Sequence, residues 1–282
     1  MKIKGIFAAD IDNTLTDSRH LIPDPVVEYL RRLHKGGWEI VFLTGRTFAF
    51  AQKSIDKFDF PFHVGLQNGA EVIQMPERKV VFQNFLPHKI LTDLDKMCKD
   101  HSIGYIVYSG YEAGDFCFYE PHLFSEAMLE YFEKLKQLSS VPWVAVKNHK
   151  EIPEVGFPLV KGFGERKVLC EMRDRLLRTK ELDVYVIGDV IDPAKGLLLI
   201  TNKGANKGDA LRKICQMRGW NYPIVAAGDD ENDIPLLEMA DFSICVKGGS
   251  DRLIEYADVV APSSPQLGII QGMNQILEEH FS

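Results

Sequence analysis

Phe7-Ala8-Ala9-Asp10-Ile11-Asp12-Asn13-Thr14-Leu15-Thr16 is a short apolar run that stops abruptly on two aspartates. Bounded by Asp and Asn, it reads as a strand buried on both faces, as in a parallel sheet. Asp10 and Asp12 then stand at its carboxyl end, where open α/β sheets place ligand chemistry. Two carboxylates one residue apart repel unless a cation or a shared proton holds them, so the pair points to a hard, oxygen-seeking ion such as magnesium. A bare Asp-x-Asp is more often an Asx turn after a strand. The case for chemistry therefore rests on what lies downstream.

Working outward, Pro23 to Pro25 opens a helix with Val26, Val27, Leu30 and Leu33 at helical spacing, and Gly36-Gly37 closes it. A second buried strand over 38–43 ends on Thr44-Gly45-Arg46, a helix follows over 48–56, and a third apolar segment over 63–66 ends on Gln67-Asn68-Gly69-Ala70. Strand, helix, strand, helix, strand implies right-handed crossovers and a parallel sheet, with polar groups delivered to one edge. A hairpin over 72–75 and 79–82 ends this pattern. Paired strands between single helices (87–99, 124–138, 165–178) then predict an antiparallel sheet with helices on one face, an α+β unit. From Lys203 the first rhythm resumes: helix 206–218, strand 224–227, helix 234–239, strand 242–246 and a last helix 265–280. The expected fold is α/β, a Rossmann-like parallel-sheet core of residues 1–83 plus 201–282 with an inserted α+β domain over 84–200. Its short connections near 83–86 and 200–204 are placed to act as hinges.

The chain has 282 residues, 45% hydrophobic and 26% charged, which suits a soluble globular protein of two domains. A net charge of -7 argues against nucleic-acid or anionic-membrane partners, so an anionic substrate must be met by local cations. Nowhere do the roughly 18 apolar residues of a membrane span occur in a row. The N-terminal run ends at Asp10, too short for a signal-peptide core, and a cytoplasmic protein is expected. Cys98, Cys117, Cys170, Cys215 and Cys245 show no Cys-x-x-Cys spacing and read as reduced, mostly buried thiols.

The C-terminal strand 224–227 runs into Gly228-Asp229-Asp230-Glu231-Asn232-Asp233. Asp230 and Glu231 suit a solvated helix N-terminus. Asp229, directly after the strand, emerges at the same sheet edge as Asp10 and Asp12, and carboxylates or carbonyls converging there make a magnesium site. An EF-hand starting at Asp10 is rejected, because Leu15 and Leu21 stand where Gly and Glu are needed. Neither a Walker-type phosphate loop nor a Gly-x-Ser-x-Gly elbow occurs. Cations come from Arg46 and from Lys203 or Lys207; Lys207 sits where a helix begins and can reach the carboxylate edge, while Thr44 can offer a hydroxyl to phosphate oxygen. Together these outline a cradle for phosphoryl transfer.

Asp10-Ile11-Asp12-Asn13-Thr14-Leu15, Thr44-Gly45-Arg46, Asn68-Gly69-Ala70, Asn206-Lys207-Gly208 with Ala210-Leu211, and Gly228-Asp229-Asp230-Glu231-Asn232-Asp233 match, in order, the motifs of the haloacid dehalogenase-like superfamily. They look most like its Cof-type sugar-phosphatase branch, which carries a large α/β cap after the third core strand. Asn13 departs from the usual Gly of that branch, though Asn also tolerates the turn. Gly248-Gly249 stands where an Asn-Ala pair is common. The resemblance implies that Asp10 is the nucleophile forming an aspartyl-phosphate and Asp12 the general acid–base. It also implies that Asp10, Asp229 and the main-chain carbonyl of Asp12 hold magnesium, with Asp233 and Asn232 orienting that shell. Thr44, Gly45, Arg46, Lys207 and Asn232 are the residues it sets around the phosphate.

These readings predict a magnesium-dependent phosphatase for a small phosphate ester, a sugar phosphate foremost. Competing readings are a phosphomutase, because Asp10-Ile11-Asp12 with Leu15-Thr16 also resembles phosphomannomutases, and a non-catalytic metabolite sensor on the same fold. The inserted domain should choose the substrate. Tyr108, Tyr111, Phe116, Phe118, Tyr119 and Trp143 could stack on a sugar there, although strand aromatics are more often core. Oligomeric state is not legible.

Overall fold

The computed structural model describes residues 2–100, 103–138, 140–188 and 196–281. In chain order its elements are β1 (Gly5–Asp10), α1 (Asp24–Lys35), β2 (Trp38–Leu43), α2 (Phe48–Ile55), β3 (Phe62–Leu66), β4 (Glu71–Met75), β5 (Lys79–Gln83), α3 (Ile90–Asp100), β6 (Gly104–Tyr108), β7 (Cys117–Tyr119), α4 (Glu126–Leu138) and β8 (Trp143–Ala145). There follow β9 (Leu159–Gly164), α5 (Arg166–Leu177), β10 (Leu182–Gly188), β11 (Gly196–Asn202), α6 (Lys207–Arg218), β12 (Ile224–Gly228), α7 (Ile234–Leu237), β13 (Phe242–Val246), α8 (Asp251–Ile254), β14 (Val259–Ala261) and α9 (Gly268–His280). The chain forms two compact units, Met1–Gly45 with Lys53–Phe82 and Asn206–Ser282, and Arg46–Gln52 with Gln83–Ala205.

The first unit is built on an eight-stranded sheet of order β14-β13-β12-β1-β2-β3-β4-β5. From β14 to β3 every pairing is parallel, and the β4–β5 hairpin adds an antiparallel edge at β3. The sequence leaves β1 toward β2 and β3 on one side and returns to β12 and β13 on the other. The strand order therefore reverses at β1, the place where sheets of this kind open a crevice beyond their carboxyl ends. All six residues of β1 are buried, as a strand covered on both faces requires. Ile6, Ala8, Val41 and Leu43 join α6 and α7 through Leu211, Ile214, Leu236 and Leu237, and Phe7, Ile40 and Phe42, which point the other way, are equally inaccessible. The short edge strand β14 and the one-turn helix α8 carry too few residues for a pattern, and no element is predicted between 246 and 265.

The second unit holds a six-stranded sheet of order β10-β11-β9-β6-β7-β8, antiparallel except for the parallel pair β7–β8. Its helices do not share one face, contrary to expectation. Tyr105, Val107, Phe118, Val160 and Leu198 pack with Leu91 and Leu94 of α3 and Leu169 and Met172 of α5. Ile106, Tyr108, Cys117, Leu159 and Leu197 pack instead with Tyr131 and Phe132 of α4. Consecutive rather than alternate apolar residues in β6, β9 and β11 leave two oily faces, and each needs a cover. Most of the aromatic candidates for a sugar platform are spent in this packing; Tyr119 and Trp143 lie edge-on at 5.6 Å beside Phe132. The two stretches that enter and leave this unit are tied side by side: Asn84 donates to the Lys203 carbonyl (2.9 Å) and accepts from the Asn202 amide (2.7 Å). All five cysteines are free. Among the described residues no helix is long and apolar enough to cross a membrane.

Candidate functional site

The register of the parallel sheet lines up three strand ends. Ala9 lies opposite Ala227 and Asp10 opposite Leu43, so Asp10, Thr44 and Asp229 leave β1, β2 and β12 side by side. After β1 the chain turns sharply, with the Leu15 and Thr16 amides donating to the Ile11 carbonyl and the Asn13 amide to the Thr16 hydroxyl. Asn13 takes φ 54°, the left-handed conformation that Asn tolerates where Gly would be the default. This turn half-buries Asp12 and carries two side chains across to β12, where Asn13 Nδ2 and Thr14 Oγ1 approach the Asp229 carboxylate at 3.3 and 3.4 Å. Sequence reading missed both contacts, because nothing in local spacing announces a bond across 215 residues.

Lys207 enters from the first turn of α6, whose N-cap Asn206 accepts the Asp209 amide. Gly208 makes the approach possible: a Cβ there would lie 2.0 Å from the Pro235 carbonyl oxygen, so only Gly lets the start of α6 rest on α7. The buried Lys207 Nζ donates to Asp10 Oδ1 at 2.5 Å and to Asp233 Oδ1 at 2.6 Å. Asp233 Oδ2 in turn accepts the amides of Asp229 and Asp230 at 3.0 and 3.2 Å, which fixes the loop after β12. The Asn232 amide donates to Asn68 Oδ1 at 3.0 Å, and the Asn68 amide donates to the Thr44 carbonyl at 2.8 Å. Gly249 presses flat on the same loop; a Cβ there would meet the Asp229 carbonyl at 2.2 Å, and the Ser250 amide donates to that carbonyl at 2.7 Å. Gly248-Gly249 thus backs the backbone of Asp229.

The structure brings Asp10, Asp229, Lys207 and Asp233 together, with Thr44 buried at the tip of β2 and Gly45 half-buried beside it. Arg46 belongs to the second unit, where its guanidinium stacks on Phe50 at 4.6 Å. Burial pushes the Asp10 carboxyl up to about 7, with Lys207 opposing and Asp233 and Asp12 adding to the rise. Burial also drives Asp229 well above the carboxylate range, helped by Asp10, Asp233 and Asp230. For Lys207 burial works the other way, yet Asp10 and Asp233 outweigh it and hold the ammonium charged.

One lysine thus faces more negative charge than it can neutralise. Asp10 Oδ2 is buried and makes no hydrogen bond. Carboxylate oxygens of Asp10, Asp229 and Asp233 lie within 4.8 Å of one another. Asp233 is already occupied by Lys207 and two amides, which leaves Asp10 and Asp229 as oxygen donors. An all-oxygen pair with a buried, unpartnered lone pair fits a hard divalent cation of the magnesium kind.

Residues 7–273 match the family model of the haloacid dehalogenase-like hydrolases. Phosphatase YwpJ of Bacillus subtilis is 23% identical over 96% of this chain and 99% of that protein. Phosphoglycolate phosphatase 2 of Saccharolobus solfataricus is 32% identical over only 83 residues, 29% of this chain and 36% of that protein. Among solved structures, one described as the HAD subclass IIB sugar phosphatase BT4131 superposes with a TM-score of 0.77 at 20% identity, covering 97% of this chain and 98% of that one. With β1 central, its aspartate at the carboxyl end and a family match over nearly the whole length, the chain belongs to the haloacid dehalogenase-like hydrolases.

Proposed function

We propose that this hydrolase is a magnesium-dependent phosphatase for a small phosphorylated metabolite, a sugar phosphate foremost, working through an aspartyl-phosphate on Asp10. The observation that carries the reading is the state of Asp10, whose Oδ1 is pinned by Lys207 while its Oδ2 is buried without a hydrogen bond at the switch point of the sheet. The names of the relatives and of the BT4131 neighbour favour phosphate esters of small metabolites over other hydrolase substrates.

In this mechanism the Asp10 carboxylate attacks phosphorus as the ester oxygen departs, and Asp12 gives its proton to that oxygen. Asp12, now a carboxylate, takes a proton from water as the water attacks the aspartyl-phosphate, which regenerates Asp10 and releases phosphate. Lys207 holds Asp10 in line and offers positive charge to the phosphoryl oxygens, while Thr44 and the Gly45 backbone border them. Asp233 keeps Lys207 in place, and the Asn232–Asn68 bond steadies the loop after β12. Asp10, Asp229 and the Asp12 carbonyl would hold magnesium, which when bound neutralises charge on the transferring group. A screen of phosphorylated metabolites with magnesium, scored for phosphate release and for hexose 1- to 6-phosphate interconversion, tests the reading. Phosphate release from sugar phosphates is expected; interconversion without release, or no turnover on any ester, overturns it.

A pH signature should accompany the metal. The Asp10 carboxyl, raised from 3.8 to about 7, binds more protons folded than unfolded between those values. Its cost to stability is therefore absent below the lower value and grows as pH rises to about 7. A cation on Asp10 offsets that cost, so the gain in Tm on adding magnesium should be larger at pH 8 than at pH 5.5. Asp10→Asn should flatten the difference. Equal gains at both pH values in the parent protein would remove Asp10 from the metal site.

Discrimination among esters we assign to the second unit. Tyr111, whose ring packs 4.6 Å from Phe48, is the first position to vary. Tyr111→Ala should change kcat/KM for the best sugar phosphate several-fold more than for p-nitrophenyl phosphate. Equal losses on both substrates would give this unit a share in the chemistry itself.

A further inference from the structure

The second unit contains a group of polar side chains that the proposed chemistry does not use. Asp95 on α3, Glu120 just after β7 and His149 in the short turn His149–Glu151 offer ligand atoms that all lie within 4.8 Å of one another. All three residues are buried, with 8%, 3% and 8% of their surface exposed. His149, more than nine-tenths buried, has no hydrogen bond at either ring nitrogen, yet its Nδ1 points at Asp95 Oδ2 from 3.6 Å. That gap is too long for an N–H···O hydrogen bond. It is close to the separation of about 3.3 Å between two ligands on one tetrahedral ion with bonds near 2.0 Å. His122 Nε2 stands at the same 3.6 Å from Glu120 Oε2 and, being largely exposed, can close the set from the solvent side.

Two carboxylates and one imidazole brought this close make a mixed oxygen and nitrogen ligand set, the kind a first-row divalent ion takes. The turn that presents His149 is held independently: the Asn148 side chain accepts the Lys150 amide and Glu151 accepts the Lys147 amide. The imidazole is thus positioned before any ligand arrives.

We propose that Asp95, Glu120 and His149, with His122 as a fourth donor, form a site for a first-row divalent ion of the zinc type, distinct from the all-oxygen pair Asp10 and Asp229. A ligand set containing imidazole selects zinc, nickel or copper over magnesium, so the two sites are separable by chemistry. The ligands come from three elements 25 and 29 residues apart, a spacing no metal motif describes. The bound ion clamps α3 to the 149–151 turn on one face of the sheet.

The test titrates the full chain with zinc in excess magnesium. One zinc equivalent should bind and raise Tm by roughly 5 °C or more. Binding should persist in Asp229→Asn and weaken by at least about 100-fold in His149→Gln. Crystals of the parent protein grown with both ions should show a zinc-edge anomalous peak among Asp95, Glu120 and His149. This readout stands even if His149→Gln fails to fold. No peak there, or zinc binding unchanged in His149→Gln, overturns the proposal.

Discussion

Asp10→Asn is expected to lower kcat by about four orders of magnitude or more, with the fold retained and Tm unchanged or higher. The loss follows from chemistry: an amide carries no anionic lone pair to attack phosphorus, and the remaining groups only bind and polarise. The retained fold follows from electrostatics. Asp10 is a carboxyl whose charge the protein resists, since burial has pushed it up to about 7. A neutral replacement of the same shape relieves that crowding, and Lys207 keeps Asp233 as its partner at 2.6 Å. Steady-state phosphate release and thermal unfolding on the same preparation check both halves. Activity near that of the parent would end the nucleophile assignment, and an unfolded variant would mean that the Lys207–Asp10 pair is structural. Asp12→Asn should differ in kind, passing phosphate from p-nitrophenyl phosphate to Asp10 while failing on sugar alkoxides, which need its proton.

How far the sequence speaks differs from one part of the chain to another. Strands such as 5–10 and 224–228 are legible because a strand covered on both faces has to be apolar throughout, and because the polar residue that stops each run lies where the sheet ends. Register then does the rest, for two parallel neighbours of equal reach set Asp10 beside Asp229 with no further information. Side-chain bonds across the sheet are not legible in this way. Asn13 and Thr14 read as turn residues, and only the folded chain brings them to Asp229. Asp233 reads as a group that orients a metal shell, and only the folded chain adds its pairing with Lys207 and its acceptance of two amides. The faces of the second sheet mislead for a different reason. Consecutive apolar residues such as Tyr105-Ile106-Val107-Tyr108 say that both faces are covered without saying by which helix.

Asp233→Asn is expected to cost about 3–5 kcal/mol of stability, although it removes no more charge than Asp10→Asn does. Both carboxylates touch Lys207 at nearly equal distance, so counting ion pairs predicts equal effects. Their surroundings separate them. Asp10 is opposed by its carboxylate neighbours and has one oxygen without a hydrogen bond, whereas Asp233 uses both oxygens, one on Lys207 and one on the amides of Asp229 and Asp230. Asparagine has a single acceptor oxygen, so it must abandon either the buried ammonium or the two amides, and each is costly to leave unmet. At roughly 2–4 °C per kcal/mol for a chain near this size, Tm should fall by about 10 °C. Magnesium affinity should fall with it, because Asp229 is carried by the loop those amides hold. Half-buried Asp230, whose side chain caps this turn by accepting the Glu231 and Asp233 amides, is the control: asparagine keeps an acceptor oxygen for that cap, so Asp230→Asn should stay within a few degrees of the parent. If Asp233→Asn and Asp10→Asn melt together, the loop after β12 is held by something other than Asp233, and Lys207 is positioned by Asp10 alone.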